Sequence, residues 1–512
     1  MGDLVTGPVD RRWQAFALLA MTQFVVVLDI MIVNVALPSI ETSLGFSHEN
    51  LAWVVDAYLV TFGGFLLLGG RAADLFGRKR VFLTGLVVFG LASVACGLAG
   101  TGGQLVAARA VQGLGGAILS PAALSLVAVT FRQEAERNRA MGIWNAVAGA
   151  GGAAGVVLGG VLTACLGWEW VFWVNVPLTL GGVLLGVKLI TDVAVHRTAP
   201  LREFDVLGAV SATAGLSMLI FGLVQIGSTR ALVALVVAVA LLGAFVVTEL
   251  RVPVPLVSFG VFRSRALSAA NGVMLVFVAG VVATNFFVTL YAQQVLGYGP
   301  VEAGLSFLPL ALGQILFSQI ASRWLARLGV LTVLLIGMGA AILGFGWFSL
   351  LSPDGSFAID ILGPAVLVSV GGGFGFVALI VLAVSGVEPR QTGLAGGLIT
   401  MSQQVGGALG LAVLASLATW RTERQVATGV AAPSALTDGF QLGFLAAAGL
   451  VLVGTIAATL VLWTREVRVE VPPGNQLSDE AAPGEDGLGL SSDVQLREDP
   501  GQVVADRLLR EI

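Results

Sequence analysis

Fourteen predominantly apolar runs follow one another along this 512-residue chain, each near bilayer-crossing length. Crossing about 30 Å of hydrocarbon takes roughly 20 residues of helix, and a helix carries its backbone hydrogen bonds within itself. The runs cover 13–37, 51–70, 81–100, 105–129, 140–163, 171–190, 206–226, 231–250, 267–291, 303–322, 329–351, 361–385, 392–418 and 440–463. With 56% hydrophobic and 11% charged residues, and a mean hydropathy of +0.93, the chain lies far outside the soluble globular range. The expected fold is an all-α integral membrane protein. The first run is too long for a signal-peptide core, lacks a small-residue cleavage site and leads straight into the next, so it is expected to be retained.

Arg and Lys collect in alternate loops. Arg11 and Arg12, then Arg71, Arg78, Lys79 and Arg80, then Arg132, Arg137 and Arg139, then Arg197 and Arg202 fall on one side. Arg251, Arg263, Arg265, Arg323, Arg327 and Arg390 join them, against Arg230, Arg421 and Arg424 opposite. This bias places both termini in the cytoplasm of a plasma-membrane protein, and an even number of spans independently requires the termini to share a side.

The spans divide as 6 + 2 + 6. Residues 1–12 form a cytoplasmic N-terminus, 13–190 a six-helix bundle, 191–266 a linker with two extra transmembrane helices, and 267–463 a second six-helix bundle. Residues 464–512, rich in Pro, Gly, Ser and acid, read as a disordered acidic cytoplasmic tail. "RAADLFGRKRVFLTG" has an echo in "RWLARLGVLTVLLIG" at the equivalent place in the second half, as parallel repeats would give.

Several chemistries lack the residues they need. The net charge is −4 and only Lys79 and Lys188 are lysines, so there is no basic face for nucleic acid. "GAGGAAGVVLGG" contains a G-x-G-x-x-A pattern, but no strand precedes it. Gly151, Gly155 and Gly159, spaced four apart, instead make a smooth face for close helix packing, with Gly160 beside them. No phosphate-binding G-x-x-x-x-G-K-[ST] or serine-hydrolase G-x-S-x-G occurs. His48 and His196 sit in loops without metal-ligand clustering, and Cys96 and Cys165 behave as small hydrophobes. No enzyme activity, metal or cofactor is expected.

Three ionisable residues have no loop to occupy: Asp29, Asp56 near the outer end of the second span, and Arg109. An ion at membrane depth costs about 2.5–3.5 kcal/mol even on the permissive insertion scale, so such residues mark a pathway or a partner. Thr22, Val25, Asp29, Val33 and Ala36 share one helical face, expected to look into the bundle toward a central cavity, whereas Asn34 points toward a neighbouring helix. Desolvation disfavours an ionised carboxylate, so Asp29 is expected to take a proton and release it when water or a cation enters. Arg109 stays charged at any pH. Gly70, Asp74, Gly77, Arg78 and Lys79 form an unusually charged short loop suited to a conformational latch. Trp144, Asn145, Asn285, Tyr291 and Gln403, polar or aromatic residues within apolar spans, are candidate substrate-cavity walls.

Taken together, "LDIMIVNVALP", "WVVDAYLV", "GGRAADLFGRKR", "LVAARAVQGLGGA" and "YAQQVLGYGPVEAGLSFLPLALG" resemble the major facilitator superfamily, specifically its fourteen-helix drug:proton antiporters. The resemblance spans residues 10–465 and implies two six-helix halves with two added central helices. It implies proton coupling through Asp29, Arg109 and Asp56, and export of small hydrophobic or amphiphilic compounds, antibiotics among them. Such a transporter is driven by the proton gradient, needs no cofactor and works as a monomer in the lipid bilayer. Met31, Ala72 and Val156 depart from the family pattern, Val156 standing where the fifth-helix motif has proline, and Glu169 stands where arginine is usual. Proton symport of a nutrient, or a transport-inactive membrane sensor or scaffold, are the alternative readings.

Overall fold

The computed structural model describes residues 9–131, 133–190, 205–225, 229–252, 255–257, 259–385, 387 and 392–463. Among them fourteen helices are long and apolar enough to cross a membrane. They are α1 (Arg11–Leu44), α2 (Trp53–Ala73), α3 (Arg78–Gly97), α4 (Gly102–Thr130), α5 (Arg139–Cys165), α6 (Trp170–Leu189) and α7 (Val206–Val224). Then follow α8 (Thr229–Arg251), α9 (Arg265–Val295), α10 (Pro300–Leu325), α11 (Val330–Phe348), α12 (Phe357–Ser385), α13 (Gly393–Ala427) and α14 (Ala432–Leu462). The acidic tail lies outside the described residues. The face on which α1 begins and α14 ends is the base; the opposite face is the top.

The packing repeats. In the first half α1 packs on α4, α5 and α6, α2 on α4, and α3 on α4 and α6. In the second half α9 packs on α12, α13 and α14, α10 on α12, and α11 on α12 and α14. Each pairing becomes its counterpart when eight is added to both helix numbers. The contacts between halves are exchanged by the same repeat: α2 packs on α13, and α10, the counterpart of α2, packs on α5, the counterpart of α13. The weak sequence echo therefore marks a structural repeat. At its centre Gly77 (φ 99°) and Gly329 (φ 78°) each start the next helix, a positive φ that side chains with a Cβ rarely tolerate.

Small residues bring the helices together. Lipid is as apolar as leucine, so membrane helices associate through close packing and interhelical polar contacts rather than by hydrophobic exclusion. A Cβ on Gly151, Gly155 or Gly159 would lie 2.7, 2.8 and 2.8 Å from the carbonyl oxygens of Phe24, Leu28 and Ile32. This stripe on α5 thus rests directly on the α1 backbone. Gly160 faces elsewhere: its Cβ would meet the Pro300 carbonyl at 2.6 Å, and one on Gly304 would meet the Val156 carbonyl at 2.7 Å. Gly160 and Gly304 therefore seal α5 against α10, a contact between halves. The helix runs unbroken through Val156.

The extra pair, α7 and α8, pack on each other. α7 also contacts α2 and α13, one helix from each half, while Leu232, Val236, Val239 and Leu250 of α8 are exposed large apolar residues suited to lipid.

Candidate functional site

Five helices converge on one buried ion pair. Asp29 of α1 is 0% exposed and Arg109 of α4 is 1% exposed, with Arg109 Nη1 donating to Asp29 Oδ2 at 2.6 Å. The other carboxylate oxygen, Oδ1, accepts from Gln112 Nε2 of α4 and Asn175 Nδ2 of α6, both at 2.7 Å. Arg109 Nη1 also donates to Gln112 Oε1 at 2.7 Å, and its Nε donates to the Val54 carbonyl of α2 at 2.9 Å. Gln112 Nε2 further donates to Ser93 Oγ of α3 at 2.9 Å, and the Cys96 thiol to Gln112 Oε1 at 3.7 Å. The guanidinium carbon lies 4.5 Å from the Tyr58 ring centroid and 5.8 Å from that of Phe172, so two aromatic rings add cation–π attraction to the ion pair.

This geometry revises several expectations. Thr22, Val25, Asp29, Val33 and Ala36 do form one buried face. Asp29, however, is enclosed by its partners within the first half rather than open to a central cavity. Asn34 does not bond a neighbouring helix: its Nδ2 donates to the Ile30 carbonyl of its own helix at 2.8 Å, and its Oδ1 has no partner. Asp56 is not brought to the ion pair. It is fully buried in the first turn of α2, and neither carboxylate oxygen has a hydrogen-bond partner.

The other candidates scatter. Gly70, Gly77, Arg78 and Lys79 lie at the base, where Lys79 Nζ donates to the Val187 carbonyl of α6 at 3.0 Å. That contact stays within the first half. The side chain of Asp74 lies outside the described residues, as do residues 388–391 that lead into α13. Tyr291 is a loop clasp rather than a cavity wall: it is 0% exposed and its hydroxyl donates to the Ser352 carbonyl at 2.6 Å. Trp144 and Asn285 are buried among packed helices and Gln403 is half-buried, while the Asn145 side chain lies outside the described residues.

Sequence reasoning missed Gln112, Asn175, Ser93 and Tyr58. All four are uncharged, and what signalled them was only the placing of Gln112 one helical turn after Arg109.

At the top the two halves are closed. Besides the seal between α5 and α10, Gln293 Nε2 of α9 donates to the Val35 carbonyl of α1 at 3.0 Å, and Gln294 Nε2 to Glu41 Oε2 at 2.8 Å. The Asp29 cluster lies beneath this closure.

Two six-helix halves that repeat one packing pattern, with an ion pair buried in the first, suit a membrane carrier, and comparison with known proteins gives the family. The Major Facilitator Superfamily profile matches residues 19–411. The cephamycin export protein CmcT of Amycolatopsis lactamdurans is 43% identical over 417 residues, covering 80% of this chain and 85% of that protein. The puromycin resistance protein pur8 of Streptomyces alboniger is 37% identical, covering 89% and 91%. A crystal structure of a bacterial homologue of the human lysosomal transporter Spinster superposes with a TM-score of 0.62 at 17% identity, covering 90% of this chain and 98% of that one. The chain belongs to the major facilitator superfamily. It is a multi-pass membrane transporter of small molecules and not an enzyme.

Proposed function

We propose that this chain exports small hydrophobic or amphiphilic antibiotics from the cell in exchange for protons, with the Asp29–Arg109 pair as the coupling site. The observation that carries the reading is a carboxylate and a guanidinium, both fully buried, joined across α1 and α4 beneath a closed top. The relatives named for cephamycin export and puromycin resistance support the direction and the substrate class. The Arg and Lys bias supports a cytoplasmic base, with both termini on the cytoplasmic side of the plasma membrane. The chain acts as a monomer without a cofactor.

Alternating access means that the halves rock about the site, so that it opens to one side at a time. A proton on Asp29 removes the charge that holds Arg109 to α1. Arg109 then keeps the Val54 carbonyl and Gln112 Oε1, both outside α1. Protonation thus shifts the balance between states in which α1 is clamped to α4 and states in which it is free. Asp56, buried with neither carboxylate oxygen hydrogen-bonded, is the second proton carrier in this reading. Each proton moving inward releases about 2.3 kcal/mol per 100 mV of membrane potential, enough for one or two protons to support an appreciable substrate gradient.

The reading predicts that puromycin, lincomycin or a cephamycin, added to everted membrane vesicles containing this chain, dissipates a preformed pH gradient. At least one compound of such a panel should do so, and vesicles without the chain should not respond. A gradient indifferent to every compound, with accumulation of substrate in intact cells instead of depletion, would reverse the proposed direction.

A further inference from the structure

The repeat that relates the two halves breaks down at the top of the second. Under it α9 is the counterpart of α1 and α12 of α4, and both α1 and α4 are regular α-helix throughout. Their counterparts each contain a π-helical turn: Tyr291–Val295 closes α9, and Phe357–Leu362 opens α12. In the first of these the Leu296 amide donates to the Tyr291 carbonyl, five residues back, at 3.0 Å. Such a turn is rare, holds one residue more than an α turn and so redirects the side chains it carries. Those side chains include Gln293 and Gln294, which hold the Val35 carbonyl and the Glu41 carboxylate of α1. Val35 and Glu41 stand about 9 Å apart along α1 at the usual helical rise, so one wide turn grips α1 at two levels.

We infer that the π turn Tyr291–Val295 is the moving part of the top closure: its return to α-helical pairing swings Gln293 and Gln294 off α1 and lets the halves part. The amides of this turn can pair four residues back as well as five, so neither arrangement orphans a backbone group, as a switch at membrane depth requires. A turn with two discrete hydrogen-bond registers is a bistable element on which the states of a carrier can differ. The second top seal hangs on the same stretch of chain. Beyond the turn the backbone passes through Gly297 (φ 70°) to Pro300, whose carbonyl is the contact of Gly160, and to Gly304, which meets Val156. Movement of the turn therefore reaches both seals between the halves.

The turn is pinned from within its own half. The Tyr291 hydroxyl donates to the Ser352 carbonyl at 2.6 Å, and the amides of Ser352 and Ser356 donate to Asp360 Oδ1 and Oδ2 at 3.0 and 2.8 Å. Asp360 belongs to the second π turn. Gln441 Nε2 of α14 donates to the neighbouring Leu351 carbonyl at 2.7 Å. The segment 349–356 thus ties the gripping turn to α12 and α14, two of the helices on which α9 packs. Loss of the Tyr291 hydroxyl removes that tie without touching α1.

Pulsed electron spin resonance distances on the full chain in lipid nanodiscs test the proposal. Spin labels go on two exposed top positions, Ser43→Cys in α1 and Asp354→Cys in the second half, with the exposed Cys165 replaced by serine. These distances report opening of the top whatever the direction of transport and whether or not protons are exchanged, so failure of the proposed function leaves them unchanged. Without further substitution the short distance of the closed top should dominate. Gln293→Ala/Gln294→Ala should raise the ratio of long to short distances by roughly tenfold, as loss of two interhelical hydrogen bonds gives. Deletion of Val295 should do the same with both glutamines present, because the Leu296 amide then stands four residues from Tyr291 and closes an ordinary α turn. Unchanged distances in either folded variant would overturn the inference. If the deletion does not fold, Tyr291→Phe decides: it should shift the ratio the same way by less, and a ratio equal to that of the unsubstituted labelled protein would overturn the inference as well.

Discussion

Arg109→Leu is expected to destabilise the folded protein by about 3–5 kcal/mol and to abolish transport, because it leaves the Asp29 carboxylate buried without its cation. The stability loss should be largely recovered in Asp29→Asn/Arg109→Leu. There the carboxamide oxygen of the new asparagine takes over the donors on Gln112 and Asn175, and its own amide finds Gln112 Oε1, which Arg109 no longer occupies. Breaking one side of a buried pair exposes an unpaired charge, whereas removing both sides leaves little penalty. Transport should not recover, since the double variant has no titratable group at the site. Melting temperatures of the three proteins, set beside drug accumulation in cells expressing them, check both halves of the prediction. A double variant that regained transport would make the pair a structural tie and nothing more.

Gly155→Leu is expected to have a comparably large effect through packing alone. A Cβ at this position would stand 2.8 Å from the Leu28 carbonyl oxygen and 3.0 Å from Met31 Cβ. Backbone cannot rotate away as a side chain can. Overpacking ordinarily costs about 1–3 kcal/mol, occasionally more, and a branched side chain pressed between two helix backbones belongs at the upper end. Driving α5 off α1 also moves the helix that carries Asp29, so transport should fall with stability. Gly142→Leu, at the base of the same helix with nothing within 4 Å of its added Cβ, should leave both unchanged. The comparison is read from the yield of monodisperse protein and the drug resistance of cells expressing each variant.

Much of the architecture was legible because bilayer thickness converts directly into run length. Helix ends were less so: α5 begins as helix at Glu134 and α12 at Phe357, in segments where polar residues dilute the apolar signal without breaking the helix. The charged members of the site were equally visible, since Asp29 and Arg109 are costly wherever they fall in a span. Their pairing was not. Asp29 and Arg109 are 80 residues apart and Asp29 and Asn175 are 146 apart, and the contact depends on how three helices are rotated about their axes. A run of apolar residues does not encode that rotation. Gln112 and Asn175 carry no charge and raised no alarm, although they satisfy one oxygen of the carboxylate. Asn34 misled for the opposite reason: a helical wheel correctly turns it away from the Asp29 face, but a short amide can reach the carbonyl four residues back and needs no neighbour. Gly160 shows the limit of spacing alone, because one residue beyond Gly159 turns the contact from α1 to α10 and from within one half to between the two.

The most direct test of the coupling site uses purified chain in proteoliposomes containing a pH-sensitive dye. A substrate found in the vesicle screen should evoke proton movement opposite to its own in the wild type. In Asp29→Asn that movement should vanish, while exchange of labelled for unlabelled substrate across the same membrane, which needs no net proton transfer, continues. Substrate-evoked proton flux of wild-type size in a folded, exchange-competent Asp29→Asn protein would contradict the account.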